Sequence, residues 1–141
     1  MRFEKNDGGR SKYFKGKSGD CVCRAIAIAT NKDYLEVYNE LNKLAKNEKT
    51  KNHYENKRSS ARNGVFKETW KLYLEQLGYK RVPTMFIGSG CQVRIEDFAD
   101  KKGTYIVSVA RHLTCIIDGV INDTWNCSDS KTCVYGYYKI V

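Results

Sequence analysis

The chain has 141 residues, 41% of them apolar and clustered, which predicts one folded domain and excludes a globally disordered chain. No apolar run is long enough for a membrane-spanning helix, and charged Met1 to Lys17 lacks the apolar centre of a secretory signal, so a cytoplasmic, non-membrane protein is expected. The net charge of +9 is uneven: residues 1–80 hold 18 Lys and Arg against 10 Asp and Glu, and residues 81–141 hold 7 against 6.

Residues 1–17 are charged and Gly/Lys-rich and read as a flexible basic arm before a single domain over 18–141. Asp20 is a good N-cap residue, which makes Cys21 the first residue of a helix running to Thr30. That run is apolar on nearly every face, so the helix is expected to be central and buried. A second helix starts near Asp33, with Leu35, Val37, Tyr38, Leu41, Leu44 and Ala45 at helical spacing. Residues 46–64 are polar, basic and aperiodic, and read as a long loop of the kind used as a lid or binding segment.

Phe66 to Leu77 reads as a third helix on the apolar set Trp70, Leu72, Tyr73, Leu74 and Leu77, stopped by Gly78. Lys80 to Ile87 has β character but contains Pro83, which confines it to a sheet edge or an extended connection. A short helix is expected over Ile95 to Asp100. Strands are expected at Thr104–Ala110, His112–Ile117, Val120–Trp125 and Val134–Val141, with Asp118-Gly119 as a hairpin turn. Helices first and an antiparallel sheet after make an α+β layout.

The hairpin carries candidate chemistry. With a two-residue turn, Ile117 faces Val120, Thr114 faces Asp123 and His112 faces Trp125, so all four outer residues project to one side. His112 and Asp123 become diagonal neighbours, roughly 7–8 Å apart at the backbone and within side-chain reach. A one-residue bulge would put Asn122 in the place of Asp123.

A thiolate at a helix N-terminus, beside an imidazole, is an activated nucleophile. Cys21 meets the first condition. Cys23, pointing roughly 200° around the helix, is the alternative. His53, in the basic loop, has no comparable setting. The six cysteines carry no secretory context, so most are expected as reduced thiols.

The blocks Asp20-Cys21-Val22-Cys23-Arg24-Ala25-Ile26-Ala27-Ile28-Ala29-Thr30, His112, Asp118-Gly119 and Asp123-Thr124-Trp125 resemble the papain-like cysteine peptidases, and more closely small phage and prophage proteins of that type. The bacteriocin-processing double-glycine peptidases are a more distant likeness. The resemblance implies a papain-like fold, with a central Cys-bearing helix packed on a C-terminal antiparallel sheet. It implies a cofactor-free cysteine peptidase or amide/isopeptide hydrolase in a bacterial host cytoplasm, acting on a protein or peptide. Cys21 would attack the carbonyl, His112 move the proton and Asp123 orient the ring. Trp125, Asp20 and Ser18 are the expected substrate-binding or shielding residues. One departure stands out: the family places a glutamine shortly before the cysteine as an oxyanion donor, and Lys15 to Asp20 contains none.

Two other readings compete. Cys21, Cys23, Cys127 and Cys133 with His112 could supply zinc ligands, but their spacings match no standard module. Residues 43–67 combine Lys43, Lys46, Lys49, Lys51, Lys57, Arg58, Arg62 and Lys67 with His53 and Tyr54, a composition able to follow a nucleic-acid backbone or an acidic partner. A papain-like binding protein without strong catalysis would use that surface.

Overall fold

The computed structural model describes residues 1–48, 58–128 and 132–140. It is an α+β protein of three helices and one six-stranded sheet. The helices are α1 (Cys21–Thr30), α2 (Tyr34–Ala45) and α3 (Lys67–Gln76). The strands are β1 (Arg2–Lys5), β2 (Tyr79–Pro83), β3 (Thr104–Val109), β4 (His112–Ile117), β5 (Val120–Asp123) and β6 (Gly136–Ile140), in the spatial order β1-β5-β4-β3-β6-β2. No helix among the described residues is long and apolar enough to cross a membrane.

The apolar composition of α1 is explained by its place. It packs on β4, β3 and β5 with one face and on α2 with another. Cys23, Ile26, Val37, Leu41 and Leu74 are fully buried there, together with Ile106, Leu113 and Tyr138 from the sheet. The next residue of β3, Val107, belongs to a second core with Ile95, Phe98, Ile116, Ile121 and Val134. This alternation puts one apolar cluster on each face of the sheet. Pro83 ends an edge strand, where a missing N–H costs no ladder bond. Leu72, expected among the apolar set of α3, is about half exposed on the outer side of that helix.

Residues 1–17 do not form a flexible arm. Arg2 to Lys5 pair with Val120 to Asp123 as a parallel edge strand, which makes the sheet mixed rather than antiparallel. Arg10, in a 3₁₀ turn, is buried against Asp20 and Tyr34. The charged composition hid this, because β1 is a solvated edge with only Phe3 partly covered.

The β4–β5 hairpin has the expected register: Ile117 faces Val120, Ile116 faces Ile121 and Cys115 faces Asn122. Asp118 and Gly119 both have positive φ, 48° and 79°, as a two-residue turn matching strand twist requires. Any side chain at Gly119 would collide with the Ala99 carbonyl. The strand stops at Asp123 rather than Trp125, where the Asp123 carboxylate takes the Thr124 N–H at 2.7 Å and draws the chain out of the ladder. Cys91 and Cys133 form a disulfide, so those two depart from the expected reduced thiols, while Cys21, Cys23, Cys115 and Cys127 are free. The centre of the basic loop, with His53 and Tyr54, lies outside the described residues. Its two ends are tied together by Glu48, whose carboxylate accepts from the Ser59 N–H at 2.7 Å and from the hydroxyls of Ser59 and Thr69.

Candidate active site

Asp20 precedes α1, but its side chain makes no capping bond. Its carboxylate instead accepts from Arg10 Nη1 at 3.1 Å, from Arg24 Nη1 and from the Tyr34 hydroxyl. Arg10 also donates through Nε to the Gly16 carbonyl, 3.3 Å away. These bonds fix the loop that delivers Cys21. Asp20 is 1% exposed, so the expectation that it binds or shields substrate is replaced by a buried structural role.

Cys21 opens α1, where the first backbone N–H groups have no acceptor within the helix. His112 opens β4 and Asp123 closes β5, so the hairpin brings both to one end of the sheet. His112 Nε2 and Asp123 Oδ2 are 2.6 Å apart. Asp123 Oδ2 also accepts from Thr114 Oγ1 at 2.6 Å, and Arg24 Nη2 lies 3.8 Å from Oδ1. With Nε2 engaged, Nδ1 is the ring nitrogen left for the Cys21 thiol, which lines the same cleft as His112 and Leu113 and whose proton affinity is coupled to that of the imidazole. The indole of Trp125 lies against the imidazole, centroids 4.9 Å apart, and is itself about half exposed.

The electrostatics follow from this geometry. Burial pushes the Cys21 thiol up, but its bonds to His112 and the Leu113 N–H, with the nearby charge of Arg24, outweigh burial and hold it below the ordinary thiol range. Burial pulls His112 down, yet Asp123 and the Cys21 sulfur together raise it to about 9. Burial also works against the Asp123 carboxylate, and its bonds to His112 and Thr114 keep it below the usual carboxylate range. Cys21 and Asp123 are thus shifted down and His112 up, each by its neighbours in this cluster.

Cys23 is a different thiol. It is fully buried, its Sγ lies 3.8 Å from the Tyr34 carbonyl, and burial pushes it up to about 12. Asn122 is likewise set apart: its side chain bonds Asn6 Nδ2 and the Val120 carbonyl rather than the imidazole. The zinc set is not assembled, because Cys23 faces α2 and Cys133 is bonded to Cys91. His112, Asp123 and Cys127 do offer ligand atoms within 4.8 Å of one another. A metal there would have to displace the His112–Asp123 bond and deprotonate Cys127, which burial raises to about 11.

The thiol opens into a cleft of about 600 Å³, lined among others by Ser18, Asn63, Lys67, Trp70, Arg111 and Tyr135. A Cβ on Gly19 would lie 3.0 Å from the Asn63 carbonyl, so the glycine lets the end of the basic loop close over the start of α1. Ser18 Oγ is buried at this cleft with no hydrogen-bond partner among the described residues.

Thr114 lies on the hairpin face expected from the sequence and donates to Asp123, a task its residue type does not reveal, and the buried ion pairs of Arg24 and Arg10 are not expected from the sequence. The one available signal for Arg24 was a charge inside an otherwise apolar helix, which needs a buried partner. Comparison with protein-family models, curated proteins and solved structures gave no match to this chain.

Proposed function

We propose that the chain is a papain-like cysteine peptidase or amide/isopeptide hydrolase. The observation that carries this reading is a Cys21 thiol and a His112 imidazole lining one cleft, each shifting the other's proton affinity, with the ring's Nε2 held 2.6 Å from a buried carboxylate. In the proposed cycle the Cys21 thiolate attacks the carbonyl carbon of an amide. The C–N bond breaks as the imidazolium gives its proton to the leaving amine, leaving a thioester. Neutral His112 then takes a proton from water, hydroxide adds to the thioester, and the acid and the thiolate are released. Asp123 keeps the proton of Nε2 in place throughout and stabilises the imidazolium. The Cys21 backbone N–H is one oxyanion donor, and the unpartnered Ser18 hydroxyl takes the role that a glutamine would fill. Trp125 covers one face of the imidazole and limits water at the His112–Asp123 bond.

One observation favours a second reading, a binding protein of the same fold with little turnover: no glutamine precedes Cys21. One experiment separates the two. The protein is incubated with a quenched fluorescent peptide library, and the acyl-enzyme is sought by intact mass. The hydrolase reading expects cleavage and a thioester adduct mapped to Cys21, both abolished in Cys21→Ala and retained in Cys23→Ala. A library left uncleaved, with no adduct on Cys21, would leave only the binding role.

A further inference from the structure

Among the described residues, the walls of the Cys21 cleft contain no carboxylate; their charged side chains are Arg24, Lys67 and Arg111, besides the His112 imidazole. A second cleft of about 740 Å³ adjoins it, sharing Ser18, Arg24 and Trp125 as common walls. The second cleft adds Lys5, Arg10, Lys15 and Lys17 against Asp7 and Asp20. Both acids are already engaged. Asp7 accepts from the Gly9 and Ser11 backbone N–H groups, and Asp20 is neutralised by Arg10 and Arg24.

Five cations remain. Lys5, Lys15, Lys17, Lys67 and Arg111 are all exposed, and none makes a side-chain ion pair with a described residue. They sit in two groups, Lys5 with Lys15 and Lys17 on one side of the Ser18–Trp125 divide and Lys67 with Arg111 on the other. The Cys21 thiol lies in the cleft of Lys67 and Arg111, whose wall toward the second cleft is Ser18, Arg24 and Trp125. Like charges gathered at two linked clefts raise the local concentration of an anionic ligand.

Resting on the hydrolase reading, we infer that the substrate is an acidic peptide segment, laid across both clefts with carboxylates on each side of the scissile amide. A neutral stretch of a few residues runs from Cys21 across the shared Ser18–Trp125 wall, and its flanking Asp or Glu side chains meet the two cationic groups. The surface is distinct from the centre of the basic loop. A peptide is favoured over a nucleic acid because one cationic cleft holds a nucleophile suited to an amide, and because the shared wall is a serine, an indole and the Arg24 guanidinium already paired with Asp20, rather than a continuous basic track.

The test uses the full-length Cys21→Ala protein, which binds without turnover. Fluorescence anisotropy is measured with short labelled peptides carrying glutamates, neutral residues or lysines on both flanks of one neutral centre, and with an oligothymidylate of matched charge. The glutamate peptide is expected to bind at least tenfold more tightly than the other two peptides and the oligonucleotide, with affinity falling as salt rises. Lys15→Glu with Lys17→Glu, and Lys67→Glu with Arg111→Asn, are each expected to weaken it on the order of tenfold, since single exposed pairs contribute little. Asparagine is chosen at 111 because Arg111 has a φ of 56°, which asparagine tolerates. Equal binding of the three peptides, indifference to both double substitutions in variants with unchanged circular dichroism, or an oligonucleotide binding as tightly as the glutamate peptide would each overturn the inference. Covalent labelling of Cys21 in the unsubstituted protein is read in parallel: tight acidic binding without labelling sinks the hydrolase reading alone, and labelling without charge preference sinks this one alone.

Discussion

Asp20 and Asp123 are both buried, 1% and 3% exposed, and both sit beside Arg24, yet they are built for different ends. Asp20 is surrounded by two guanidinium groups and a tyrosine hydroxyl. Its carboxylate is paired with both arginines and holds the chain before α1. Asp123 takes a threonine hydroxyl, a backbone N–H and an imidazole. One of its partners can gain and lose a proton, and that partner faces a thiol. The lesson is that burial alone does not mark a functional carboxylate; the proton affinity of what surrounds it does.

The two carboxylates should therefore fail in different ways. Asp123→Ala is expected to lower the rate of amide cleavage per folded molecule by roughly 10²–10⁴, the usual range for losing an oriented general base, measured by turnover normalised to folded protein. Asp20→Ala is expected to cost about 3–5 kcal/mol of stability, because Arg10 and Arg24 are left buried without their counter-charge. Denaturant titration reads that loss, and the rate per folded molecule should move less than tenfold. If instead Asp20→Ala spared stability and removed activity, the division between a structural and a chemical carboxylate would be wrong. Thr114→Val is the finer test. It removes one donor from the Asp123 carboxylate and should cost about 1.5–3 kcal/mol of stability, with a smaller loss of turnover than Asp123→Ala.

The parts that could be read from the sequence are those set by local rules. The extents of α1 and α2, the edge placement of the strand ending at Pro83 and the hairpin register follow from apolar patterning, proline's missing donor and turn chemistry. The register, in turn, put His112, Thr114 and Asp123 on one face. What escaped depends on partners distant in the chain. β1 exists only because β5 offers it a free edge more than a hundred residues away. Asp20 has the composition of a capping residue, and only the arrival of Arg10 and Tyr34 turns its carboxylate inward. The disulfide joins Cys91 to Cys133 across 42 residues, a pairing that spacing among six cysteines does not single out.

The pairing of Cys21 with His112 is tested most directly by the pH dependence of alkylation. Iodoacetamide rates at each cysteine, mapped by peptide mass, are measured from acid to alkaline pH in the protein and in His112→Ala. Cys21 should react below the ordinary thiol range, ahead of buried Cys23, Cys115 and Cys127, because the imidazolium persists until pH passes about 9 and favours the thiolate beside it. In His112→Ala the Cys21 profile should move upward, since burial then acts without its main opponent. A single Cys21 titration in the ordinary thiol range, unchanged by His112→Ala, would contradict the pairing.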